Sequence, residues 1–179
     1  MNPDIAVFAK AISNGYPMAA IIGRGEVMNA AQDTFVSSTY WTERIGPVAA
    51  LATIRKHRRI QAPKRLQFIG ESIQRGWREA ANRVNLPISV GGLSPLAFFT
   101  IDHPDAQILR TYFTERMLDH GYLAVNAFYA MCAHTKDHVD GYLHATELVF
   151  GELQRAIESS SVSSLLKHPV AHSGFARLA

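Results

Sequence analysis

Ile5-Ala6-Val7-Phe8-Ala9-Lys10-Ala11-Ile12-Ser13-Asn14-Gly15-Tyr16-Pro17-Met18-Ala19-Ala20 joins two apolar runs through a lysine and a dense turn. Ile5 to Ala9 is continuously apolar, the pattern of a strand buried on both faces in a parallel or mixed α/β sheet. Ser13 to Pro17 is a turn signal. Met18 to Ile22 reads as a second strand, stopped by Gly23-Arg24-Gly25. Lys10 follows the first strand directly, and ligands of α/β folds sit at such strand-end loops. Apolar surroundings disfavour a charged lysine and make its amine a better nucleophile for an aldehyde. A lone lysine at a strand end ordinarily snorkels to water, so the residues around it decide its role.

Downstream, Thr34 to Tyr40 reads as a third strand or an extended loop, rich in β-formers and hydroxyls. Pro47 suits a first helical turn, and the apolar run Val48 to Ile54 predicts a well-buried helix. A second helix is expected from Pro63 to about Val84, with Leu66, Ile69, Ile73, Trp77, Ala80 and Val84 at helical spacing. Strands follow at Ile88–Val90 and Leu96–Ile101, a helix at Asp105–His120, and a strand at Tyr122–Val125. The last helix runs from Lys136 to Ile157, N-capped by Thr135. The fold class is therefore α/β followed by α+β, the second part an antiparallel sheet under helices. Residues 1–58 form the first part, 59–158 the second, and the serine-rich 159–179 a flexible tail. Three strands cannot cover a parallel sheet, so the first part is expected to be the end of a larger domain.

The composition narrows the classes. With 179 residues, 47% of them hydrophobic, the chain suits one ordinary globular domain or one and a half small ones. The single cysteine excludes an internal disulfide and a Cys-rich metal site, and points to a reducing compartment, the cytoplasm. No apolar run is long enough to span a bilayer. The basic run Arg55-Lys56-His57-Arg58-Arg59, with Lys64-Arg65 nearby, carries much of the net charge of +3. Nothing aromatic interleaves with it, so it reads as a helix end complementing the helix dipole, not a nucleic-acid grip. Neither nucleic acid nor membrane is an expected partner, and no metal is expected.

Pro3-Asp4-Ile5 with Ala9-Lys10-Ala11-Ile12-Ser13-Asn14-Gly15-Tyr16-Pro17-Met18-Ala19-Ala20 resembles the lysine segment of class III aminotransferases, pyridoxal-phosphate enzymes of fold type I. The family reads P-D-I, a few apolar residues, G-K, a glycine-rich turn, P, a residue, G-A. This chain departs at Ala9, Ser13-Asn14 and Ala19, each a small residue where the family has glycine. Thr42-Glu43-Arg44-Ile45-Gly46-Pro47-Val48-Ala49 is similar to the family segment T-x-S-G-N-P-L-A, with Arg44-Ile45 in place of Ser-Gly. Ala133-His134-Thr135-Lys136-Asp137-His138-Val139-Asp140 resembles the A-H-T-x-E-D-I-D run of the glutamate-1-semialdehyde aminomutase branch.

The resemblance implies the last strands of a fold-type-I large domain followed by a small C-terminal α+β domain. It implies that Lys10 forms the internal aldimine with pyridoxal 5'-phosphate and later moves the substrate's proton. Thr42 falls on the family threonine that binds the cofactor phosphate of the neighbouring subunit, with Ser38 and Thr39 as nearby hydroxyls. On its own, Thr42 would read as a helix cap. The implied reaction is amino transfer between a small amino donor and a keto or aldehyde acceptor, within a homodimer and as part of a longer enzyme. An aminomutase, or a truncated non-catalytic piece needing an N-terminal partner, is the alternative. Asp4 lies too close to Lys10 to serve as the pyridine-nitrogen carboxylate, and Arg44 is a candidate for the arginine that binds the substrate carboxylate only by its nearness to the phosphate segment. Cys132 lacks an orienting partner, His134 reads as structural, and Asp102-His103-Pro104-Asp105 reads as a capped turn.

Overall fold

The computed structural model describes residues 2–37, 39 and 42–174. They fall into two compact units, Met1–Ala62 and Pro63–Ala179. In the first unit, β1 (Ile5–Phe8) pairs antiparallel with β2 (Ala20–Gly23), Ile5 opposite Gly23 and Phe8 opposite Ala20. Arg24 fastens the open end, with Nη1 3.1 Å from Asp4 and Nη2 2.7 Å from Glu26. A short α1 (Gly25–Met28) runs into a 3-10 turn at Asn29–Asp33, and α2 spans Ile45–Arg59.

Two expectations need correction here, and one alternative is decided. The first strand forms, but its pairing is antiparallel and its faces are open: Val7 and Phe8 point to solvent, as do Ile21 and Ile22. An apolar run reports a need for cover, and a two-stranded ribbon has no layer of its own to supply it. For the same reason α2 is not well buried. Only Gly46 and Ala50 are buried, while Ile45, Val48 and Leu51 are exposed. Thr34 is extended, yet residues 34–37 and 39 form no strand, which favours the loop alternative; Ser38 and Tyr40 lie outside the described residues.

The second unit holds α3 (Ala62–Val84), β3 (Ile88–Leu93), β4 (Leu96–Ile101), α4 (Ala106–Asp119), β5 (Ala127–Tyr129) and α5 (Lys136–Glu158). The strands form one antiparallel sheet in the order β3-β4-β5, with Val90 opposite Phe99 and Ala97 opposite Phe128. Strict alternation along β4 sends Ala97, Phe99 and Ile101 inward. Phe99 is the hub. Its ring meets Trp77 of α3, Phe113 of α4 and Phe150 of α5 edge-on, at centroid distances of 5.0, 5.1 and 5.3 Å. Trp77 Nε1 donates to Tyr142 Oη at 3.1 Å, so neither buried polar atom is orphaned. Burial pushes the Tyr142 phenol up to about 12.

The strand expected at Tyr122–Val125 is found later, at Ala127–Tyr129, its start displaced by five residues. Asn126 sets the shift: its amide donates to the Phe99 carbonyl at 2.8 Å and its carbonyl accepts from the Phe99 N–H at 2.9 Å. Pairing with β4 therefore begins after Asn126. Thr135 caps α5 as expected, accepting from the His138 N–H at 3.3 Å, while His138 Nδ1 accepts from the Thr135 N–H at 3.2 Å. Residues expected as a tail lie against this unit: Val162 is buried in its core, and Ala171 bonds to Thr111 and Gln107 of α4.

Two contacts yield predictions. A Cβ added at Gly70 of α3 would stand 1.7 Å from the Ser94 carbonyl oxygen in the β3–β4 turn. Gly70→Ala therefore lowers stability by about 2 kcal/mol despite the helix propensity gained, read from the urea midpoint. Glu152 of α5 accepts from Arg116 at 2.7 and 3.0 Å and from Tyr112 at 3.1 Å. The Arg116 hydrogen bond holds its carboxyl below the ordinary 4.5, outweighing burial. A carboxyl lowered in the folded state stabilises above its unfolded value and loses that stability as pH falls through the folded one. Glu152→Gln should thus flatten the stability loss below pH 4.5, and an unchanged acid limb would refute the pairing.

Candidate functional site

Lys10 lies at the first residue after the extended Ala9 and begins a 3-10 turn, Lys10–Ile12. Its φ is +56°, in the left-handed region. Asn14 and Gly15 follow at +47° and +113°, a region asparagine tolerates and glycine, without a Cβ, adopts freely. For lysine the conformation costs about 1 kcal/mol. The turn is held from inside. Ser13 is buried and its hydroxyl donates to the Tyr16 carbonyl, while the Ile12 N–H donates to the Ala9 carbonyl at 3.3 Å. The Lys10 side chain is exposed, so this unit does not supply the apolar surroundings expected for it. Among the described residues, the unit's ion pairs run from Arg24 to Asp4 and Glu26, and neither uses Lys10.

Thr42 is exposed and does not cap α2. The helix begins at Ile45, earlier than Pro47, and the carboxylate of Glu43 caps it. Glu43 Oε1 accepts from the Ile45 N–H and Oε2 from the Gly46 N–H at 3.2 Å. The sequence reading missed Glu43; the signal was a carboxylate two residues before a helix start. Thr39 is exposed and Ser38 lies outside the described residues.

The two segments meet. The Lys10–Ile12 turn packs against α2. Gly46 makes the approach possible: a Cβ there would stand 3.2 Å from Met18 Cβ and 3.4 Å from the Pro17 carbonyl. Beside this contact, Tyr16, Arg44, Ile45 and Val48 line an open cavity of about 360 Å³. The unit thus presents an exposed primary amine, a hydroxyl and a helix start whose first two N–H groups already hold a carboxylate. An aldehyde suits the first, and a phosphate suits the other two once Glu43 yields.

The remaining candidates are structural. His134 stacks on Phe128 and its Nδ1 accepts from the Met131 N–H at 3.2 Å. His103 Nδ1 accepts from the Asp105 N–H at 3.1 Å, so histidine ties the turn where a carboxylate cap was expected. Cys132 is half-buried. The basic residues Lys56 to Arg59 sit in the last turn of α2. Among the described residues, no group of three metal-ligating side chains gathers and no helix is long and apolar enough to cross a membrane.

The sequence matches the family model described as Aminotransferase class-III over residues 1–139. It is 29% identical to the aminopentol aminotransferase of Sphingopyxis macrogoltabida, over 95% of this chain and 40% of the relative. It is 25% identical to the 2'-deamino-2'-hydroxyneamine transaminase of Streptomyces kanamyceticus, over 86% of this chain and 39% of the relative. The fold matches the PLP internal aldimine form of the FumI protein of Sphingopyxis sp. MTA144 with a TM-score of 0.79 and 25% identity, over 88% of this chain and 38% of that one. It also matches an omega-transaminase of Sphaerobacter thermophilus at 0.75 and 18%, over 86% and 39%. The chain spans about two fifths of the length of the curated relatives it matches. The expected fold type is borne out by these structures.

The Glu43 cap is open to test. Glu43→Ala should make the Ile45 and Gly46 amides exchange roughly five-fold faster, as loss of a helix cap does, with amides past Leu51 unaffected.

Proposed function

The chain belongs to the class III aminotransferases, and from that premise we propose that it carries the reactive lysine of a pyridoxal-phosphate-dependent transaminase, Lys10. The observation that carries the reading is the packing of the Lys10–Ile12 turn against α2, whose Gly46 lies against Pro17 and Met18. Pyridoxal phosphate, when bound, supplies an aldehyde carbon and a ring that takes up electrons. Lys10 supplies the primary amine for that aldehyde, and its Nζ, once free, holds and delivers the proton moved in amino transfer. Thr42 offers its hydroxyl to the phosphate of the cofactor held by the neighbouring subunit. The Ile45 and Gly46 N–H groups join it only after Glu43 turns away, since two anions do not share one helix start.

Amino transfer takes an amino donor and a keto or aldehyde acceptor, and we read the working enzyme as a cytoplasmic homodimer. In this reading residues 1–58 belong to the cofactor domain and 59–158 to the small domain. The run Ala133 to Asp140 supports the glutamate-1-semialdehyde aminomutase branch as the second reading.

The test is to add pyridoxal phosphate to the chain, record the visible band of the lysine–cofactor bond, reduce with borohydride and map the label. One label on the Lys10 peptide, lost in Lys10→Ala, is the expected result. Label spread evenly over Lys10, Lys56 and Lys64 would sink the assignment.

A further inference from the structure

The second unit carries a cavity of about 490 Å³ between β5 and the start of α5, within the size range of small-molecule sites. Its wall is apolar and open: Leu123 is 95% exposed, and Val125 and Met131 are also exposed. Phe128 and Val139 form the floor. Among the described residues lining it there is no Lys, Arg, Asp or Glu. Its polar groups are two imidazoles, His134 and His138, and the hydroxyls of Thr114, Tyr122, Tyr129 and Tyr142.

Both imidazoles are fixed by the backbone. Nδ1 of His134 accepts from the Met131 N–H and Nδ1 of His138 from the Thr135 N–H, each at 3.2 Å. In a neutral ring the proton then resides on Nε2. Burial and, second, the neighbouring His138 hold His134 below its ordinary value, which favours that neutral ring. Neither Nε2 has an acceptor among the described residues. The cavity therefore combines apolar walls, hydroxyls and two oriented imidazole N–H donors, with no Lys, Arg, Asp or Glu in its lining.

We propose that this cavity binds an uncharged amphiphile whose hydrocarbon chain lies on Leu123, Val125 and Met131 and whose hydroxyl or carbonyl oxygen accepts from His134 and His138. A carboxylate would enter without a lysine or arginine and an ammonium without a carboxylate, and each loses hydration it does not recover. A purely apolar protein face would bury two N–H donors unsatisfied, at about 1–3 kcal/mol each. The occupant has to bring an oxygen. This site goes beyond the transaminase reading and stands without it.

The full chain is titrated at mildly alkaline pH with n-octanol, octanoate and octylamine, which share a chain and differ in the head. Methionine methyl and histidine ring signals are followed by NMR. Octanol should shift Met131, His134 and His138 saturably, with octanoate and octylamine about tenfold weaker or more. Leu123→Glu, at a side chain the fold does not need, should weaken octanol about tenfold. Equal binding of the three heads, no shift at all, or equal effects of octanol at Met131 and at distant methionines such as Met28 would overturn the proposal. So would a change in sedimentation with Leu123→Glu that leaves the octanol shifts intact, which would mark the face as a contact between copies.

Discussion

Three helices meet on one ring. Phe99 stands at the centre of β4, and Trp77, Phe113 and Phe150 each reach it edge-on from a different helix. Edge-on geometry places positive ring edges on negative faces, and each such pair adds about 0.5–1.5 kcal/mol beyond burial. The helices cannot slide independently, because each is registered to the same residue. Gly70 completes the constraint by letting the β3–β4 turn touch the backbone of α3. The half-buried cluster of Arg116, Glu152 and Tyr112 then ties α4 to α5 outside the aromatic centre.

Among its described residues the first unit has no such hub. Its apolar residues are numerous but exposed, and local devices hold it: the Arg24 clasp, the Ser13 hydroxyl inside the turn, the Glu43 cap and the close approach at Gly46. These devices fix the backbone on either side of Lys10 and at the start of α2. Precision at the site thus rests on backbone geometry more than on a packed core.

Much of the fold was legible in the residues. The 3-4 spacing of Ile69, Ile73 and Trp77 marked α3, the alternation in LAFFTI marked β4, and Thr135 marked the start of α5. What misled was apolar content without a partner. The runs at Ile5 and Val48 predicted buried elements, and hydrophobicity states a demand that the same unit need not meet. Tyr122–Val125 looked like a strand, but Asn126 fixes where pairing starts, and that is a tertiary hydrogen bond invisible to a local pattern. At the candidate site, Lys10 and Thr42 stood out through resemblance to a family. Glu43 did not, because its role depends on α2 beginning at Ile45, a boundary the proline at 47 obscured.

The left-handed backbone at Lys10 sets stability against retention of the amine. Glycine or asparagine would occupy that conformation with less strain. A selection for thermal resistance alone would therefore favour Lys10→Gly or Lys10→Asn. Its most stable survivors would have lost the primary amine that we propose meets the cofactor aldehyde.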